Sequence, residues 1–267
     1  MLRYHERVGV AVSGGKDSLS LLKVLSDLSP RNGSELVALS VDEGVEGYRD
    51  EALEHAMALA KQLGVEHHTV SYRELFGHSL DEALDWKGGR ELSSCSLCGV
   101  FRRRAIDEVA TRAKVTVVAT GHNLDDYVQT FLMNLMHGDV ERIGWLDPSF
   151  ADESFPVRRI KPFMEIYEEE IALFAYLSGI PFQSTSCPYM HEGLRSEVRD
   201  YLNSLEAGHP GVKNVLLRSS LEVVSRLQST SAKRSVPCAR CGRPSSNGLC
   251  GSCRIRELVD QHLNYTD

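Results

Sequence analysis

Hydrophobic positions in the first half of the chain form short continuous apolar runs that alternate with longer stretches at helical spacing. The first run, residues 7–12, is rich in β-branched side chains and stops at two glycines, after which leucine and valine recur at helical spacing. Further runs of this kind cover residues 36–41 and 115–119, and residues 65–70, which follow the glycine at position 64, are predicted as a strand between them. Because strands separated by helices require right-handed crossovers, the pattern predicts an α/β fold with a parallel sheet flanked by helices.

Helical spacing between and after these runs predicts further helices. They cover residues 50–63, about 100–112, about 124–136, about 167–177, 197–205 and 215–227. Gly64 is suited to end the first of these in a left-handed turn. A loop that contains Cys95 and Cys98 is predicted before the second.

Composition predicts one substantial hydrophobic core and a small appendage, since 42% of the 267 residues are hydrophobic and 25% are charged. Residues 1–227 are predicted to form the main α/β domain, residues 228–237 a polar linker and residues 238–267 a C-terminal unit. The polar start lacks the features of a signal peptide, and no apolar run reaches about 18 residues. We therefore expect a cytosolic protein without a membrane partner.

Seven cysteines in a chain without a secretory signal favour metal or redox chemistry over disulfide bonds. Four of them follow the pattern C-x2-C-x8-C-x2-C, which predicts a structural zinc ribbon: Cys238, Cys241, Cys250 and Cys253. The other three are Cys95 and Cys98, which form a separate C-x2-C, and Cys187. By spacing alone, this second set favours a zinc site completed by His191.

The net charge of −7 argues against a nucleic-acid partner, but the charge is segregated along the chain. Residues 226–256 contain seven basic residues and no acidic residue. The basic residues are Arg226, Lys233, Arg234, Arg240, Arg243, Arg254 and Arg256. A zinc-bound tetrathiolate cancels about two of these charges, so a surplus remains and the ribbon is predicted to meet a polyanion. A purely structural unit or a dimer contact is the alternative.

The segment S-G-G-K-D-S lies between the first predicted strand and the first helix, which is a favourable place for an anion. It consists of Ser13, Gly14, Gly15, Lys16, Asp17 and Ser18. Its spacing differs from the G-x4-G-K-[ST] pattern of Walker loops. It matches instead the PP-loop of ATP pyrophosphatases, a resemblance that implies cleavage of ATP to AMP and pyrophosphate while an acceptor is adenylated.

A second polar segment, T-G-H-N-L-D-D at residues 120–126, follows the predicted strand at 115–119 and therefore lies at the same edge of the sheet. Its two carboxylates open a helix, where they could bind magnesium or position a general base. We predict a functional role for Asp126. Asp125 fits a functional role and a simple helix-start charge equally well.

Further spaced motifs extend over nearly the whole chain. They are V-D-E-G-V-E-G-Y-R-D, C-S-L-C-G-V-F-R-R, R-I-K-P, Cys187 and R-S-E-V-R-D. Together with the two segments above, they resemble the motifs of the tRNA 2-thiouridine synthetases. The resemblance implies a PP-loop ATP pyrophosphatase fold of the adenine nucleotide alpha hydrolase-like type. It also implies that ATP and magnesium adenylate the C2 oxygen of a uridine, which sulfur then replaces, and C-G-V-F-R-R favours the wobble uridine over the ribothymidine-loop uridine.

The resemblance assigns roles to individual residues, of which Lys16, Arg102 and Asp126 are implied to be catalytic. The implied ATP site comprises Ala11, Val12, Ser13, Gly14, Gly15, Lys16, Asp17, Ser18, Ser40, Gly121 and Asp126. Arg102 stands where some relatives carry lysine, and since arginine cannot release a proton near neutral pH, it is predicted to clamp phosphate. Tyr127 stands where relatives have a third carboxylate. The sequence also begins without the N-terminal zinc finger of most relatives, which argues against a two-finger grip on tRNA.

In this family the positions of Cys95, Cys98 and Cys187 hold a [4Fe-4S] cluster by three irons, which leaves the fourth iron free to bind sulfide. A zinc site with His191 and a persulfide pathway are the alternatives. The resemblance also implies tRNA as a partner, a ubiquitin-like sulfur carrier or free sulfide as the sulfur source, and a homodimer. Two other function classes remain open: an amide-forming PP-loop ligase with structural zinc sites, and a non-catalytic zinc-ribbon protein that binds tRNA.

Overall fold

A five-stranded parallel sheet forms the centre of the computed structural model, which describes residues 2–85, 93–146, 157–189, 194–228, 236–245 and 248–263. The strands are β1 (Arg7–Ala11), β2 (Glu35–Asp42), β3 (Glu66–Ser71), β4 (Val117–Thr120), β5 (Arg158–Ile160), β6 (Val236–Pro237) and β7 (Pro244–Ser245). The helices are α1 (Lys16–Asn32), α2 (Arg49–Gln62), α3 (Tyr72–Phe76), α4 (Leu80–Asp85), α5 (Ser94–Arg112), α6 (Leu124–Met136), α7 (Val140–Gly144), α8 (Glu168–Leu177), α9 (Arg195–Gly208), α10 (Val212–Gln228) and α11 (Gly251–Leu263).

The sheet has the strand order β3-β2-β1-β4-β5, and all neighbouring strands are parallel. Both faces are covered: Val8 and Val10 pack with α1 and α8 on one face, while Val37 and Leu39 pack with α5 on the other. This confirms the predicted fold class. Because all five strands run the same way, the loops after β1, β2 and β4 meet at one edge of the sheet.

Helix α5 starts earlier than the sequence pattern predicts, which changes the setting of two cysteines. The predicted loop around Cys95 and Cys98 is wrong, because both residues lie in the first two turns of this helix. Ser93 caps the helix, and its hydroxyl accepts a hydrogen bond from the Ser96 amide at 3.2 Å. The two cysteines are three residues apart on a helix and therefore lie on the same side of it.

The C-terminal unit packs directly against α5. It pairs β6 with β7 in antiparallel fashion and adds α11, a helix that the sequence pattern did not predict. Ile255 and Val259 of α11 are buried in the hydrophobic cluster that also contains the apolar face of α5. Arg243 forms ion pairs with Asp107 and Glu108 of α5, with N–O distances of 3.4 and 3.0 Å. The helix that carries Cys95 and Cys98 is thus covered by the C-terminal unit.

Most of the predicted linker at residues 228–237 lies outside the described residues, so the proposed domain limits stay a prediction. Among the helices that the structure describes, none is long and apolar enough to span a membrane.

Candidate active site

The loop between β1 and α1 has the shape needed for close contact with phosphate. Gly14 has a φ angle of 85°, and a Cβ atom at this position would lie 2.2 Å from the carbonyl oxygen of Ala52. Gly15 is the N-cap of α1 and supplies no side-chain cap. The first amides of α1 therefore stay available to an anion, which the helix dipole also favours. The Ser18 hydroxyl accepts a hydrogen bond from the Ser13 amide at 3.0 Å and closes the loop.

Gly121, which follows β4, forms the opposite wall of this loop. A Cβ atom on Gly121 would lie 3.0 Å from the carbonyl carbon and oxygen of Asp17 and from the amide nitrogen of Ser18. These are backbone atoms at the start of α1, and they cannot move without moving the helix N-terminus. The close approach explains why a residue without a side chain stands here.

The variant Gly121→Ala is expected to weaken ATP binding by roughly 5–150-fold, because overpacking of this kind costs about 1–3 kcal/mol. Calorimetric titration with a non-hydrolysable ATP analogue measures the change. Gly144→Ala is the matched control, since a Cβ atom at Gly144 would meet no atom within 4 Å. Equal affinities of the two variants would show that the β4 wall does not shape the nucleotide site.

Lys16 lies at the start of α1 with its ammonium group between two carboxylates. Its Nζ donates to Asp17 at 2.9 Å and to Glu168 of α8 at 2.7 Å. Burial lowers the pKa of Lys16, but the contacts with Glu168 and Asp17 outweigh burial and raise it. Burial in turn raises the pKa of Asp17. The lysine is therefore a fixed positive charge beside the phosphate loop.

The two aspartates at the start of α6 have different surroundings. Asp125 is buried, forms an ion pair with Lys213 of α10 and accepts a hydrogen bond from the Glu168 amide at 2.8 Å. Asp126 instead faces the cleft, where its carboxylate lies 3.9 Å from Arg195 and burial raises its pKa. Asp125 thus ties α6 to α8 and α10, whereas the Asp126 side chain is 39% exposed and one of its oxygens accepts a hydrogen bond from the Asn123 amide at 3.3 Å.

The remaining residues of the implied ATP site line the ends of β1 and β2. Ala11 ends β1, and the amide of Val12 continues the pairing by donating to Leu39 at 2.8 Å. Ser40 is fully buried, and its hydroxyl donates to the Val12 carbonyl at 2.9 Å. His67 of β3 is also 2.8 Å from the Ser40 hydroxyl. Ser40 therefore holds Val12, the residue that precedes the phosphate loop, in place through this hydrogen bond.

Cys187 lies near enough to Cys95 and Cys98 for the charges of these residues to act on one another, but among the described residues the four ribbon cysteines are the one group of side chains close enough to hold a metal ion as they stand. Cys98 is buried, Cys95 is exposed and Cys187 has intermediate exposure. Burial and the nearby charge of Cys95 raise the pKa of Cys187, and burial raises that of Cys98, to which the charge of Cys187 also contributes. His191, the alternative fourth ligand, lies outside the described residues.

The contacts of Cys98 suit a negatively charged group. Arg102, one turn later in α5, places its guanidinium 3.3 Å from the Cys98 sulfur. The Tyr72 hydroxyl donates to the Cys98 carbonyl at 2.9 Å and lies 3.6 Å from the same sulfur. A thiol that contacts a cation, with two further cysteines nearby, has the donor chemistry of a [4Fe-4S] cluster bound through three irons, since thiolates are its usual ligands.

Comparison with known proteins shows where the chain belongs. The model of the PP-loop domain family matches residues 2–205. The chain is 38% identical to the cytoplasmic tRNA 2-thiolation protein 1 of Chlamydomonas reinhardtii, over 98% of this chain and 74% of that protein. It is 34% identical to the tRNA 2-thiolation protein NcsA of Haloferax volcanii, over 94% of this chain and 82% of that protein. The chain belongs to the PP-loop family of tRNA 2-thiolation proteins.

The solved structures contain a member of the same family. The U34-tRNA thiolase NcsA from Methanococcus maripaludis, solved with its [4Fe-4S] cluster, matches with a TM-score of 0.82 and 34% identity. The match covers 96% of this chain and 82% of that protein. The family inferred from the spaced sequence motifs is therefore confirmed.

Two charged residues that the sequence pattern did not single out connect the phosphate loop with Cys98 in this PP-loop protein. Glu43, in the turn after β2, is only 4% exposed. Its carboxylate lies 2.7 Å from Arg49 and accepts a hydrogen bond from Arg102 at 2.8 Å. Arg49 in turn donates to the Ser13 carbonyl at 2.6 Å. Both Glu43 and Arg49 belong to the motif V-D-E-G-V-E-G-Y-R-D, which is the one sequence signal for them.

Several cationic side chains lie around His122, which follows Gly121 after β4. Burial lowers the pKa of His122 to about 4, and the charges of Lys161 and Arg195 contribute to the decrease. Burial also lowers the pKa of Lys161, whose ammonium lies 5.5 Å from the centre of the Tyr127 ring. The cations near it are Lys161, Arg195 and Arg159, and Asp126 is close enough to act on Lys161. Such a group of cations is suited to a polyanionic substrate of the family.

The four ribbon cysteines are close enough to bind one metal ion. The sulfurs of Cys238, Cys241, Cys250 and Cys253 all lie within 4.8 Å of one another. The Cys250 amide donates to the Cys238 sulfur at 3.3 Å, and this bond lowers the pKa of Cys238 to about 6. The Cys253 amide is 3.4 Å from the Cys250 sulfur. Four sulfurs with backbone donors fit a structural zinc ion, which prefers four thiolate ligands in tetrahedral geometry.

Proposed function

We propose that the protein is an ATP-dependent tRNA sulfurtransferase that adenylates the C2 oxygen of the wobble uridine and exchanges it for sulfur to form 2-thiouridine. The observation that carries the proposal is the continuous set of contacts from Ser13 of the phosphate loop to Cys98. The names of the relatives support tRNA 2-thiolation, and the name of the Methanococcus protein, a U34-tRNA thiolase, supports the wobble position.

In the first step, the uridine C2 oxygen attacks the α-phosphorus of ATP and pyrophosphate leaves. Residues 13–18, which include Lys16, would hold the phosphates of magnesium-bound ATP, because amides at a helix N-terminus and a fixed ammonium favour negative charge. We assign to Asp126, which is partly exposed beside Arg195, the role of orienting the magnesium or the uridine. Adenylation turns the oxygen into part of a good leaving group, AMP, and the following attack by sulfur releases it.

Cys95, Cys98 and Cys187 would hold a [4Fe-4S] cluster, which supplies an iron without a protein ligand that can carry the transferred sulfur. The chain itself contributes the charge that surrounds this site. Arg102 is half exposed, and its guanidinium contacts both Cys98 and Glu43. Its contacts lie on the cysteine side of the cleft, so we assign it to stabilising negative charge there as well as on a phosphate.

The tRNA would lie across the cleft and the ribbon. Arg159, Arg195 and Lys161 all lie close to His122, and these cations are suited to contact the phosphates of the tRNA backbone. We further propose that the ribbon binds zinc. The sulfur source, a ubiquitin-like carrier or free sulfide, and a homodimeric state complete the proposal by resemblance to the family.

Anaerobic purification followed by iron, sulfide and zinc analysis tests the metal assignment. We expect about four irons and one zinc for each chain. Incubation with unmodified tRNA, ATP and sulfide, followed by mass spectrometry of the nucleosides, should then show 2-thiouridine at the wobble position together with AMP and pyrophosphate. A colourless protein with zinc alone would contradict the cluster. Ammonia-dependent ATP turnover would indicate an amide ligase, and tRNA binding without pyrophosphate release would indicate a non-catalytic protein.

A further inference from the structure

A buried acidic residue, Glu43, connects the nucleotide loop with a cluster cysteine. Its side chain is 6% exposed, and each carboxylate oxygen faces a different arginine. Burial of a carboxylate is unfavourable unless opposite charges compensate for it, and here Arg49 and Arg102 do so. The two arginines come from different elements, α2 and α5, so Glu43 is the point at which these elements are joined by charge.

The first arginine fixes the nucleotide side of this connection. Arg49 is 4% exposed and is the first residue of α2. One of its terminal nitrogens donates to the Ser13 carbonyl at 2.6 Å, and its Nε donates to the Val41 carbonyl at 2.8 Å. With these bonds and the Glu43 carboxylate at 2.7 Å, Arg49 holds the phosphate loop relative to the end of β2.

The second arginine, Arg102, is less enclosed than Arg49, because its side chain is 49% exposed and has room to change its orientation. Arg102 donates from Nε to Glu43 at 2.8 Å and from a terminal nitrogen to the Cys98 sulfur at 3.3 Å. Loss of the Glu43 charge would remove the carboxylate that contacts both Arg49 and Arg102, and the repulsion between the two guanidinium groups would no longer be offset by it. Arg102 would then turn toward the open cleft, away from Cys98.

We propose that Glu43 is a positioning residue that couples nucleotide binding at the phosphate loop to the cysteine site through Arg49 and Arg102. The inference rests on the proposed function, because it requires ATP at one end and a thiolate-bound group at the other. A shift of the Ser13 carbonyl on nucleotide binding is passed to Arg49, Glu43, Arg102 and Cys98 in turn. By linkage, a group bound at Cys98 changes the affinity for nucleotide by the same factor as nucleotide changes the affinity for that group.

The test compares the full-length wild type with Glu43→Gln, which keeps the size of the side chain and removes its charge. Calorimetry with a non-hydrolysable ATP analogue is performed on the metal-free and iron-loaded forms. We expect the two wild-type affinities to differ by about 5–150-fold, the usual range of such coupling, and the difference to disappear in Glu43→Gln. In the iron-loaded form, the electron paramagnetic resonance spectrum after reduction should shift on addition of the analogue in the wild type alone.

Glu46→Gln is the matched control, since Glu46 lies in the same loop with an exposed side chain and its loss removes the same charge. It should behave as the wild type does. Arg102→Gln removes the next contact between Glu43 and Cys98 and should also abolish the coupling. Because Arg102 is half exposed, this variant tests the proposal if Glu43→Gln does not fold. A lower melting temperature of Glu43→Gln with unchanged coupling would overturn the proposal and leave Glu43 as a structural ion pair.

A further measurement separates this inference from the proposed function. In metal-free protein, the alkylation rate of Cys98 is followed by mass spectrometry with and without the ATP analogue. The analogue should change this rate in the wild type and in Glu46→Gln, and leave it unchanged in Glu43→Gln. If the wild type takes up no iron, the cluster assignment fails, but this experiment still reports on the link. An equal effect of the analogue in all three proteins would contradict the link.

Discussion

Asp126→Asn is expected to lower kcat/KM for tRNA thiolation by about 10²–10⁴-fold, the usual contribution of a positioned acid or base. The carboxylate of Asp126 faces the cleft, and its loss removes the negative charge that would orient magnesium or the uridine. The Asp126 backbone amide keeps its bond to the Asn123 side chain at 2.9 Å, and the side-chain oxygen of asparagine can replace the carboxylate oxygen that accepts from the Asn123 amide at 3.3 Å, so α6 should start as before. The formation of 2-thiouridine under single-turnover conditions measures the loss of activity, and the urea midpoint of unfolding measures whether stability is unchanged.

Asp125→Asn is the control for this prediction, and the opposite pattern is expected. The ion pair between Asp125 and Lys213 is buried, with side-chain exposures of 4% and 7%. Removal of one partner from such a pair leaves a buried charge uncompensated and costs about 3–5 kcal/mol. The urea midpoint should therefore fall sharply, while the fraction that remains folded should still bind ATP. If Asp125→Asn lost activity without losing stability, the roles assigned to the two aspartates would have to be exchanged.

The sheet and the phosphate loop follow from the sequence because each depends on residues that are contiguous in the chain. Strands β1 to β3 lie within one residue or two of the predicted segments. For β1 and β2 the reason is that buried parallel strands need continuous apolar side chains, whereas β3 is a mostly polar edge strand. Helix α6 has the predicted bounds, Leu124–Met136, because Asn123 is a strong cap and the apolar positions that follow recur regularly. The glycines of residues 13–18 identify the phosphate loop for the same local reason.

The charged parts of the site depend on residues that are distant in the chain, and the sequence does not show which of them meet. Glu43 and Arg102 are 59 residues apart, and each alone has the character of a surface charge. Asp125 and Asp126 are neighbours, and only the presence of Lys213, 88 residues away, decides which of them is buried. The packing of α5 on β2, and of α10 on α6, therefore decides which charged residues meet, and local sequence patterns do not contain this information.

The C-terminal unit differs from prediction for a related reason. The cysteine spacing predicts the metal ligands, because it is local, and the sulfurs do lie together. The spacing says nothing about the partner of the apolar face of α11. Ile255 and Val259 find that partner on α5, so a segment expected to be an appendage covers the helix that carries Cys95 and Cys98.

Loss of the zinc proposed for the ribbon is accordingly expected to weaken the site of Cys95, Cys98 and Cys187, although these cysteines are far in sequence from every ribbon ligand. Cys238→Ser removes one of four thiolates, and a structural zinc site contributes directly to folding. If α11 then detaches, the exposure of Ile255 and Val259 costs roughly 1.5–3 kcal/mol for each side chain. We expect a lower melting temperature, faster amide hydrogen exchange in α5, and loss of iron together with zinc.

Arg254→Gln distinguishes this structural effect from an effect on tRNA binding. Arg254 is exposed on α11 and is neither a metal ligand nor part of the buried cluster, so its loss removes one charge from the ribbon surface. It should lower tRNA affinity in a salt-dependent way and leave the iron content, the zinc content and hydrogen exchange in α5 unchanged. Normal iron content and normal exchange in Cys238→Ser would show that the ribbon is independent of the cysteine site. In that case the contacts of Ile255, Val259 and Arg243 with the domain would add little to its stability, and tRNA binding would be the main role of the ribbon.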